Sequence, residues 1–188
     1  MTQQKCAWCL GDPDYEAYHD REWGVPVYDD AVFFEFLLLE TFQAGLSWIT
    51  ILKKRENFKA AFSNFNYQDI AQYQQTKIDS LLQNSGIVRN KLKIKAAITN
   101  AKLFMNVQAE FGSFSNYIWN FVDGKPLVTS IKSYKDAPST SDLSDAVSKD
   151  LKKRGFKFVG STVIYAFLQA TGLINDHEIS CFRYTDLS

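Results

Sequence analysis

The spacing of apolar residues limits this chain to one class of fold. Apolar side chains recur every three or four residues along most of the sequence, and few segments alternate as β-strands do. Glycine and proline residues interrupt this pattern at intervals that suit separate helices. We therefore predict an all-α fold, formed as a single domain over residues 1–188.

The individual helices are predicted from the same pattern. Between residues 31 and 44, the residues on one helix face are Phe33, Phe36, Leu37, Glu40 and Ala44. Ser47 can cap a following helix that runs through Arg55. Further helices are predicted at residues 67–73, 76–82, 89–111, 114–122, 141–154, 161–171 and around 176–182. Residues 124–140 are predicted to form an extended loop.

Charge and cysteine content argue against several classes of protein. The 21 basic and 21 acidic side chains cancel, so any surface for nucleic acid has to be a local patch. An odd count of three cysteines in a chain of this length does not suit a disulfide framework. Residues 1–5 lack the apolar run of a signal peptide, and the apolar stretches are too short to span a bilayer. We expect a cytoplasmic protein that makes no use of a membrane.

The two histidines and two of the cysteines form a candidate metal site. His177 and Cys181 are four residues apart, which on a helix places both side chains on one face. Cys6 and His19 lie near the other end of the chain, and four thiolate or imidazole ligands suit a closed tetrahedral zinc site. Two alternatives stay open at this point. Cys9 can replace Cys6, since the two have Cys-x2-Cys spacing, and the His-x3-Cys pair can be ordinary residues at a helix end.

Glu40 is the most informative acid in the sequence. It lies on the apolar face described above and directly follows three leucines, where a solvated side chain is not expected. A buried carboxylate is costly unless a partner pairs with it. One interpretation is a salt bridge or cap to a neighbouring helix. The other is a ligand that is cationic or rich in N–H donors.

Aromatic side chains are placed to surround such an acid. Trp48 follows the bend at residues 44–47, and Trp8, Tyr15 and Tyr18 come from the N-terminal segment that the metal site would fold back. Rings around a buried acid form a pocket for a flat cation, held by stacking, cation–π attraction and hydrogen bonding. The alternative is that these rings belong to the helical core.

Three basic segments are candidate contacts with DNA phosphates. They are residues 53–55, residues 152–154 with Lys157, and the series Arg89, Lys91, Lys93 and Lys95. The third follows a glycine turn at residues 84–88, between two predicted helices. Such a turn can direct backbone N–H groups and a helix N-terminus at a phosphate. Each segment can also be a solvated helix face.

Several longer strings of residues are distinctive. They are Tyr18-His19-Asp20, Glu22-Trp23-Gly24-Val25-Pro26, Gln43-Ala44-Gly45-Leu46-Ser47-Trp48-Ile49-Thr50, Leu52-Lys53-Lys54-Arg55-Glu56, Lys152-Lys153-Arg154-Gly155-Phe156-Lys157-Phe158-Val159-Gly160, Gly172-Leu173 and Asp176-His177. Together they resemble the DNA-3-methyladenine glycosylase I family, within the helix-hairpin-helix glycosylase superfamily. The resemblance runs from Cys6 to Cys181.

The resemblance implies a helix-hairpin-helix DNA glycosylase fold. Its helix-hairpin-helix motif lies at about residues 76–100, and the hairpin from Leu81 to about Arg89 grips DNA. The resemblance also implies one structural zinc ion that joins the terminal segments 1–25 and 172–188. The zinc ligands that it implies are Cys6, His19, His177 and Cys181, so it selects Cys6 over Cys9.

The resemblance further implies excision of 3-methyladenine from double-stranded DNA. The residue that matches the family's glutamate, Glu40, is the expected catalytic residue and hydrogen-bonds the damaged base. Trp48 matches the tryptophan on which the base rests, and Tyr18, Trp8 and Tyr15 complete the substrate pocket. The expected DNA-binding residues are Gly45, Leu46, Gly86, Arg89 and Lys153.

The expected chemistry needs little acid catalysis. An adenine methylated at N3 is cationic while it is attached to the sugar and leaves as a neutral base, so a general acid has little to do. No Gly-Pro-x-Asp-like run follows the hairpin, where many relatives carry a catalytic aspartate, and no motif positions a lysine for a Schiff base. We expect a monofunctional glycosylase without lyase activity and without an obligate protein partner.

Two departures from the family pattern and two rival classes qualify this expectation. Thr41-Phe42 stands where small polar residues are expected, and Cys9 is an additional thiol beside a zinc ligand. A non-catalytic zinc-stapled DNA-binding protein would share the hairpin and the metal but release no base. A zinc hydrolase is disfavoured, because four Cys/His ligands leave no open position on the metal.

Overall fold

Helices form most of the structure, as the apolar spacing predicts. The computed structural model describes residues 4–187, and eleven α-helices occur within that range. They are α1 Pro13–Arg21, α2 Asp30–Gln43, α3 Trp48–Leu52, α4 Arg55–Ala61, α5 Tyr67–Ile70, α6 Gln75–Gln83, α7 Lys91–Phe111, α8 Phe114–Trp119, α9 Asp142–Arg154, α10 Ser161–Ala170 and α11 Phe182–Asp186. Of these described helices, none combines the length and the hydropathy needed to cross a membrane.

One pair of short strands was not predicted. β1 (Leu127–Val128) and β2 (Ile174–Asn175) run parallel, with Leu127 opposite Ile174 and Val128 opposite Asn175. Two residues are too few to produce a recognisable alternation in the sequence. The pair connects the predicted loop to the C-terminal segment. Within residues 124–140 the structure has β1, a single 3-10 turn (Tyr134–Asp136) and no α-helix.

The helix predicted around residues 176–182 is wrong. The chain is extended after β2 and turns at residues 179–180, and α11 begins only at Phe182. The backbone bonds of this segment are not those of a helix: the N–H of Ile179 donates to the backbone oxygen of Ile131, and the N–H of Cys181 donates to that of Glu178 in a turn. His177 and Cys181 therefore do not share a helix face, and any metal site must bring them together in another way.

One further predicted helix is divided. The helix predicted from Ser47 through Arg55 is two helices, because α3 ends at Leu52 and α4 begins at Arg55. Ser47 precedes α3, but its hydroxyl bonds to the Thr50 hydroxyl at 2.7 Å instead of capping a backbone N–H. By contrast, Ser141 and Ser144 form a capping box at the start of α9.

Helix α2 lies at the centre of the core. It packs against α3, α7, α8 and α10, and its residues Phe33–Phe34 and Phe36–Phe42 are all buried. Rings on α2 contact rings from other helices: the centroids of Phe34 and Phe104 are 5.3 Å apart, and those of Phe33 and Phe114 are 5.7 Å apart. Because every residue from Phe36 to Phe42 is buried, a polar side chain in this stretch has little contact with bulk water. This placement sets the environment of Glu40.

Helices α6 and α7 are joined by a turn at residues 84–90. It overlaps the hairpin that the resemblance implies, and from here on we use the name hairpin for residues 84–90. Inside it, the side-chain oxygen of Asn84 accepts a hydrogen bond from the N–H of Gly86 at 2.8 Å. The side chain of Asn90 accepts hydrogen bonds from the N–H groups of Leu92 and Lys93, so α7 begins two residues later than predicted.

Candidate active site

A cavity of about 300 Å³ lies beside the buried face of α2. That volume is at the lower end of the range for small-molecule sites. Its walls come from the N-terminal segment, α1, α2, α3, α10 and the loop before α9. The lining residues are Trp8, Tyr15, Tyr18, Trp23, Glu40, Gln43, Trp48, Ile131, Tyr134, Ala137, Pro138, Ser139, Thr162, Tyr165, Ala166, Gln169 and Asp176.

Glu40 brings an unpaired carboxyl group into this cavity. Its side chain is 3% exposed, and among residues 4–187 no hydrogen-bond partner meets its Oε2 and no cation pairs with it. Burial raises the pKa of Glu40 to about 8, so the group is largely protonated at neutral pH. The salt bridge or cap considered for this acid is therefore not made by the described part of the chain. A group that would accept hydrogen bonds from a ligand remains.

The four predicted rings line the same cavity. Tyr18 and Trp48 are both buried, and their ring centroids are 5.3 Å apart. Trp8 and Tyr15 meet edge to face at 4.9 Å. Burial and the nearby Glu40 raise the pKa of Tyr18 well above its usual value, so its hydroxyl stays protonated. These contacts support the interpretation of a pocket for a flat ligand.

The opposite wall was missed by the sequence analysis. Asp176 is buried and accepts hydrogen bonds from Thr129 at 2.5 Å, from Gln169 at 2.6 Å and from Tyr165. A signal for part of this wall exists in the sequence. Thr162, Tyr165, Ala166 and Gln169 follow helical spacing, and they mark a partly polar face on an otherwise apolar helix. Asp176 itself carries no such signal, because its partners are brought together only by the fold.

Three of the four predicted metal ligands form one cluster. The ligand atoms of Cys6, His19 and Cys181 lie within 4.8 Å of one another, and all three residues are buried. The thiol sulfur of Cys181 is 3.4 Å from Nε2 of His19. The thiol of Cys9 donates to the backbone oxygen of Cys6 at 3.2 Å instead of joining this cluster. Of the two cysteines left open by the spacing, Cys6 is the one that the fold brings to the other ligands.

His177 lies next to this cluster and has a free ring nitrogen. Its ring centroid is 5.1 Å from that of His19, and its buried Nε2 has no hydrogen-bond partner within residues 4–187. Its Nδ1 is 2.9 Å from Oδ1 of Asn175, and Nδ1 of His19 is 2.8 Å from Oδ1 of Asp20. Burial lowers the pKa of His177 to about 3, which keeps the ring neutral. Histidines that are oriented through Nδ1, with Nε2 left for a metal or a neighbouring ligand, are typical of metal sites.

The residues predicted to contact DNA lie in two turns and on one helix. Gly45 has φ +81°, a value that favours glycine, and Leu46 beside it is 42% exposed. Gly86 and Arg89 both lie in the hairpin, and Arg89 is exposed. Lys153 is exposed near the end of α9.

Several of the other basic residues are occupied within the protein. Lys53 pairs with Asp12 at 2.6 Å, and Arg55 pairs with Glu22 and Glu35 at 2.7 and 2.6 Å. Arg154 pairs with Glu110 and Asp150, each at 2.6 Å. Lys93 is buried. The three basic segments are therefore not uniform phosphate-binding faces, because folding uses part of their charge in internal contacts.

The chain is similar to known proteins over nearly its whole length. Residues 8–184 match the family described as methyladenine glycosylase. The chain is 46% identical over 181 residues to DNA-3-methyladenine glycosylase 1 of Escherichia coli strain K12, which covers 96% of this chain and 97% of that protein.

Solved structures agree with this similarity. A crystal structure of 3-methyladenine DNA glycosylase I superposes with a TM-score of 0.92 at 50% identity, and the match covers 95% of this chain and 98% of that one. A tyrosine-to-phenylalanine variant of 3-methyladenine DNA glycosylase I, solved in complex with 3-methyladenine, superposes with a TM-score of 0.91 at 38% identity. That match covers 95% of this chain and 96% of the other.

The raised pKa of Glu40 predicts a stability that falls as pH rises. Below about pH 4.5 the carboxyl is protonated in both the folded and the unfolded state, so its full contribution to stability is present. Between that value and about 8 only the folded state holds the proton, and stability is lost. Glu40→Gln should remove this loss. The difference in free energy of unfolding in urea, variant minus wild type, should increase by up to about 1.4 kcal/mol for each pH unit across this range.

The matched control is Glu56→Gln, which changes an exposed acid on α4. Its free energy of unfolding should differ from that of the wild type by the same amount at pH 5 and pH 8. If Glu40→Gln behaves like this control, the carboxyl of Glu40 has a partner in solution and the interpretation of the cavity is wrong.

Proposed function

The chain belongs to the methyladenine glycosylase family, and on that premise we propose that it hydrolyses the N-glycosidic bond of 3-methyladenine in alkylated DNA. The observation that carries this proposal is the unpaired carboxyl of Glu40 in a ring-lined cavity. Such a cavity suits a flat base that has N–H donors and a positive charge. A protein of similar fold has been solved in complex with 3-methyladenine, and that complex supports the choice of base.

Recognition would begin with removal of the damaged base from the helical stack. Methylation weakens pairing and adds a positive charge, which lowers the cost of flipping the nucleotide into a pocket. Glu40 would accept a hydrogen bond from the N–H edge of the base. Trp48 would stack on the ring, and Tyr18, Trp8 and Tyr15 would form the remaining aromatic walls.

Bond cleavage would use the intrinsic weakness of the cationic nucleoside. The base leaves as a neutral molecule, so the transition state needs stabilisation of positive charge on the sugar more than proton donation. The cationic base would lower the pKa of Glu40, and the ionised carboxylate would then supply negative charge to the site. Water would attack the anomeric carbon of the sugar as the bond to the base breaks, and it would release one proton to solvent. The lining side chains in the described part of the chain include no lysine. We therefore propose a monofunctional reaction without a Schiff base and without strand cleavage.

The approach to DNA would use the two turns and α9. Leu46 and Gly45 would probe the duplex beside the flipped nucleotide, and Gly86 and Arg89 would bind phosphates from the hairpin, as in a helix-hairpin-helix motif at about residues 76–100. Lys153 would add a phosphate contact. Double-stranded DNA is the partner that this arrangement requires. We propose action in the cytoplasm, as a single domain, without an obligate protein partner.

One zinc ion would occupy the cluster of Cys6, His19, Cys181 and His177. The donor set of two thiols and two imidazoles suits tetrahedral zinc, and the orphaned Nε2 of His177 is the atom that a metal would satisfy. Four protein ligands would leave no open position, so the ion would serve structure. It would join the terminal segments, residues 1–25 and 172–188, that hold Trp8 and Asp176 at the cavity. Residues 1–3 and 188 of these segments lie outside the described residues.

Release of free 3-methyladenine from alkylated duplex DNA tests the proposed function. The wild type should release the base without cutting the strand. Glu40→Gln should slow single-turnover release by about 100-fold, as loss of a preorganised electrostatic group does. Trp48→Ala should slow it by about tenfold or more, because one stacking contact is removed.

Binding to undamaged DNA separates recognition from folding. Glu40→Gln should bind undamaged duplex as well as the wild type does, and Glu56→Gln should match the wild type in both assays. A wild type that releases no base would refute the proposed function. Equal loss of release and of undamaged-DNA binding in Glu40→Gln would show that Glu40 has a structural role.

Metal analysis tests the zinc proposal. Wild-type protein should hold about one zinc per chain. His177→Ala and Cys6→Ala should lose the ion. Their free energies of unfolding in urea should fall by about 4 kcal/mol or more, because losing a structural metal is among the most destabilising changes. Cys9→Ala is the matched control and should keep its zinc. If Cys6→Ala keeps its zinc and Cys9→Ala loses it, the ligand is Cys9 and the proposed assignment is wrong.

A further inference from the structure

A buried lysine takes no part in the proposed chemistry. Lys93 lies in the first turn of α7 and is 5% exposed. Its ammonium group donates to the backbone oxygen of Phe42 at 2.8 Å and to that of Ala44 at 2.6 Å. Burial lowers its pKa, and no acidic side chain among the described residues opposes that shift. A buried cation without a counter-ion is costly, so the presence of a lysine at this position needs an explanation.

The two carbonyls belong to the end of α2 and the turn that follows it. The last carbonyls of a helix lack partners within the helix, and a cation there also interacts favourably with the helix dipole. After Ala44 the chain reverses at Gly45, and the N–H of Leu46 donates to the backbone oxygen of Gln43 at 2.6 Å. Within residues 4–187, the hydrogen bonds that tie residues 42–46 to another element are those of Lys93.

The same lysine is fixed to the hairpin. Asn90, the last hairpin residue, accepts a hydrogen bond from the backbone N–H of Lys93 at 3.1 Å. The Lys93 side chain therefore connects the first turn of α7, which directly follows the hairpin, to the end of α2 and to Ala44, which directly precedes the Gly45–Leu46 turn. That turn also separates Glu40 on α2 from Trp48 on α3, which both line the cavity. Its position determines where the exposed Leu46 stands relative to the cavity and to the hairpin.

We propose that Lys93 is a positioning residue for duplex DNA. It holds the Gly45–Leu46 turn at a fixed distance from the hairpin, so that the turn enters the duplex while the hairpin binds the phosphates. This inference rests on the proposed function, in which both elements contact DNA. Lys93 does not line the cavity, and Glu40 and Trp48 are each held by the packing of their own helices, α2 and α3, so loss of the lysine should leave the base pocket intact.

Three measurements on Lys93→Met test this role. They are the affinity for free 3-methyladenine, single-turnover release of the base from alkylated duplex DNA, and release from the same strand without its complement. The affinity for the free base should not change. Release from duplex should fall by about tenfold to 100-fold, and release from single strands by less than about threefold, because a misplaced turn matters only where a duplex has to be opened.

Two further variants separate positioning from general loss of stability. Lys93→Arg keeps a charged donor for the two carbonyls and should retain most of the duplex activity. Lys102→Met makes the same chemical change on the exposed face of α7 and should match the wild type. In a Leu46→Ala background, Lys93→Met should cost little further duplex activity, since the lysine acts through that turn.

The outcomes distinguish this inference from the proposed function. If Lys93→Met weakens free-base binding, or slows release equally from duplex and single strands, Lys93 only stabilises the fold and the inference is wrong. It is also wrong if Lys93→Arg loses as much duplex activity as Lys93→Met does. A wild type that releases no base from either substrate would refute the proposed function, and the inference with it.

Discussion

A carboxyl group that is buried without a partner among residues 4–187 is the constraint on which this account depends. Glu40 lies within the buried stretch of α2 from Phe36 to Phe42, and burial raises its pKa to about 8. Substitution by an apolar residue would stabilise such a position, so its presence indicates a partner that is not part of the chain. A cationic base with N–H donors would satisfy both the hydrogen-bonding and the charge requirement of the site.

The cavity and the metal cluster are built from the same segments of the chain. Trp23 lines the cavity and lies 4.5 Å from the ring of His177, centroid to centroid. Asp176 precedes His177 directly and anchors the wall formed by Tyr165 and Gln169. Joining the two ends of the chain is therefore also what closes the pocket around Glu40. This arrangement explains why a structural ion would influence a reaction in which it takes no part.

The sequence predicted what depends on local spacing and missed most of what depends on contacts between distant segments. Glu40 and its helix were predicted from the apolar pattern. Trp48 was predicted from the bend before it, and Trp8, Tyr15 and Tyr18 from the N-terminal segment that the metal site would fold back. The role of Asp176 requires donors from residues 129, 165 and 169, which no local pattern brings together. In the sequence Lys93 is one of four basic residues in a series, with nothing to distinguish it. Only the fold shows that its ammonium group binds backbone oxygens at the end of α2.

Titration of the Glu40 carboxyl by carbon-13 NMR, with and without 3-methyladenine, tests the central claim most directly. The account predicts an apparent pKa near 8 in the free protein. It predicts a lower pKa when the base is bound, because an N–H donor favours the ionised carboxylate. A pKa near the ordinary value for glutamate, or one that the base does not change, would contradict it.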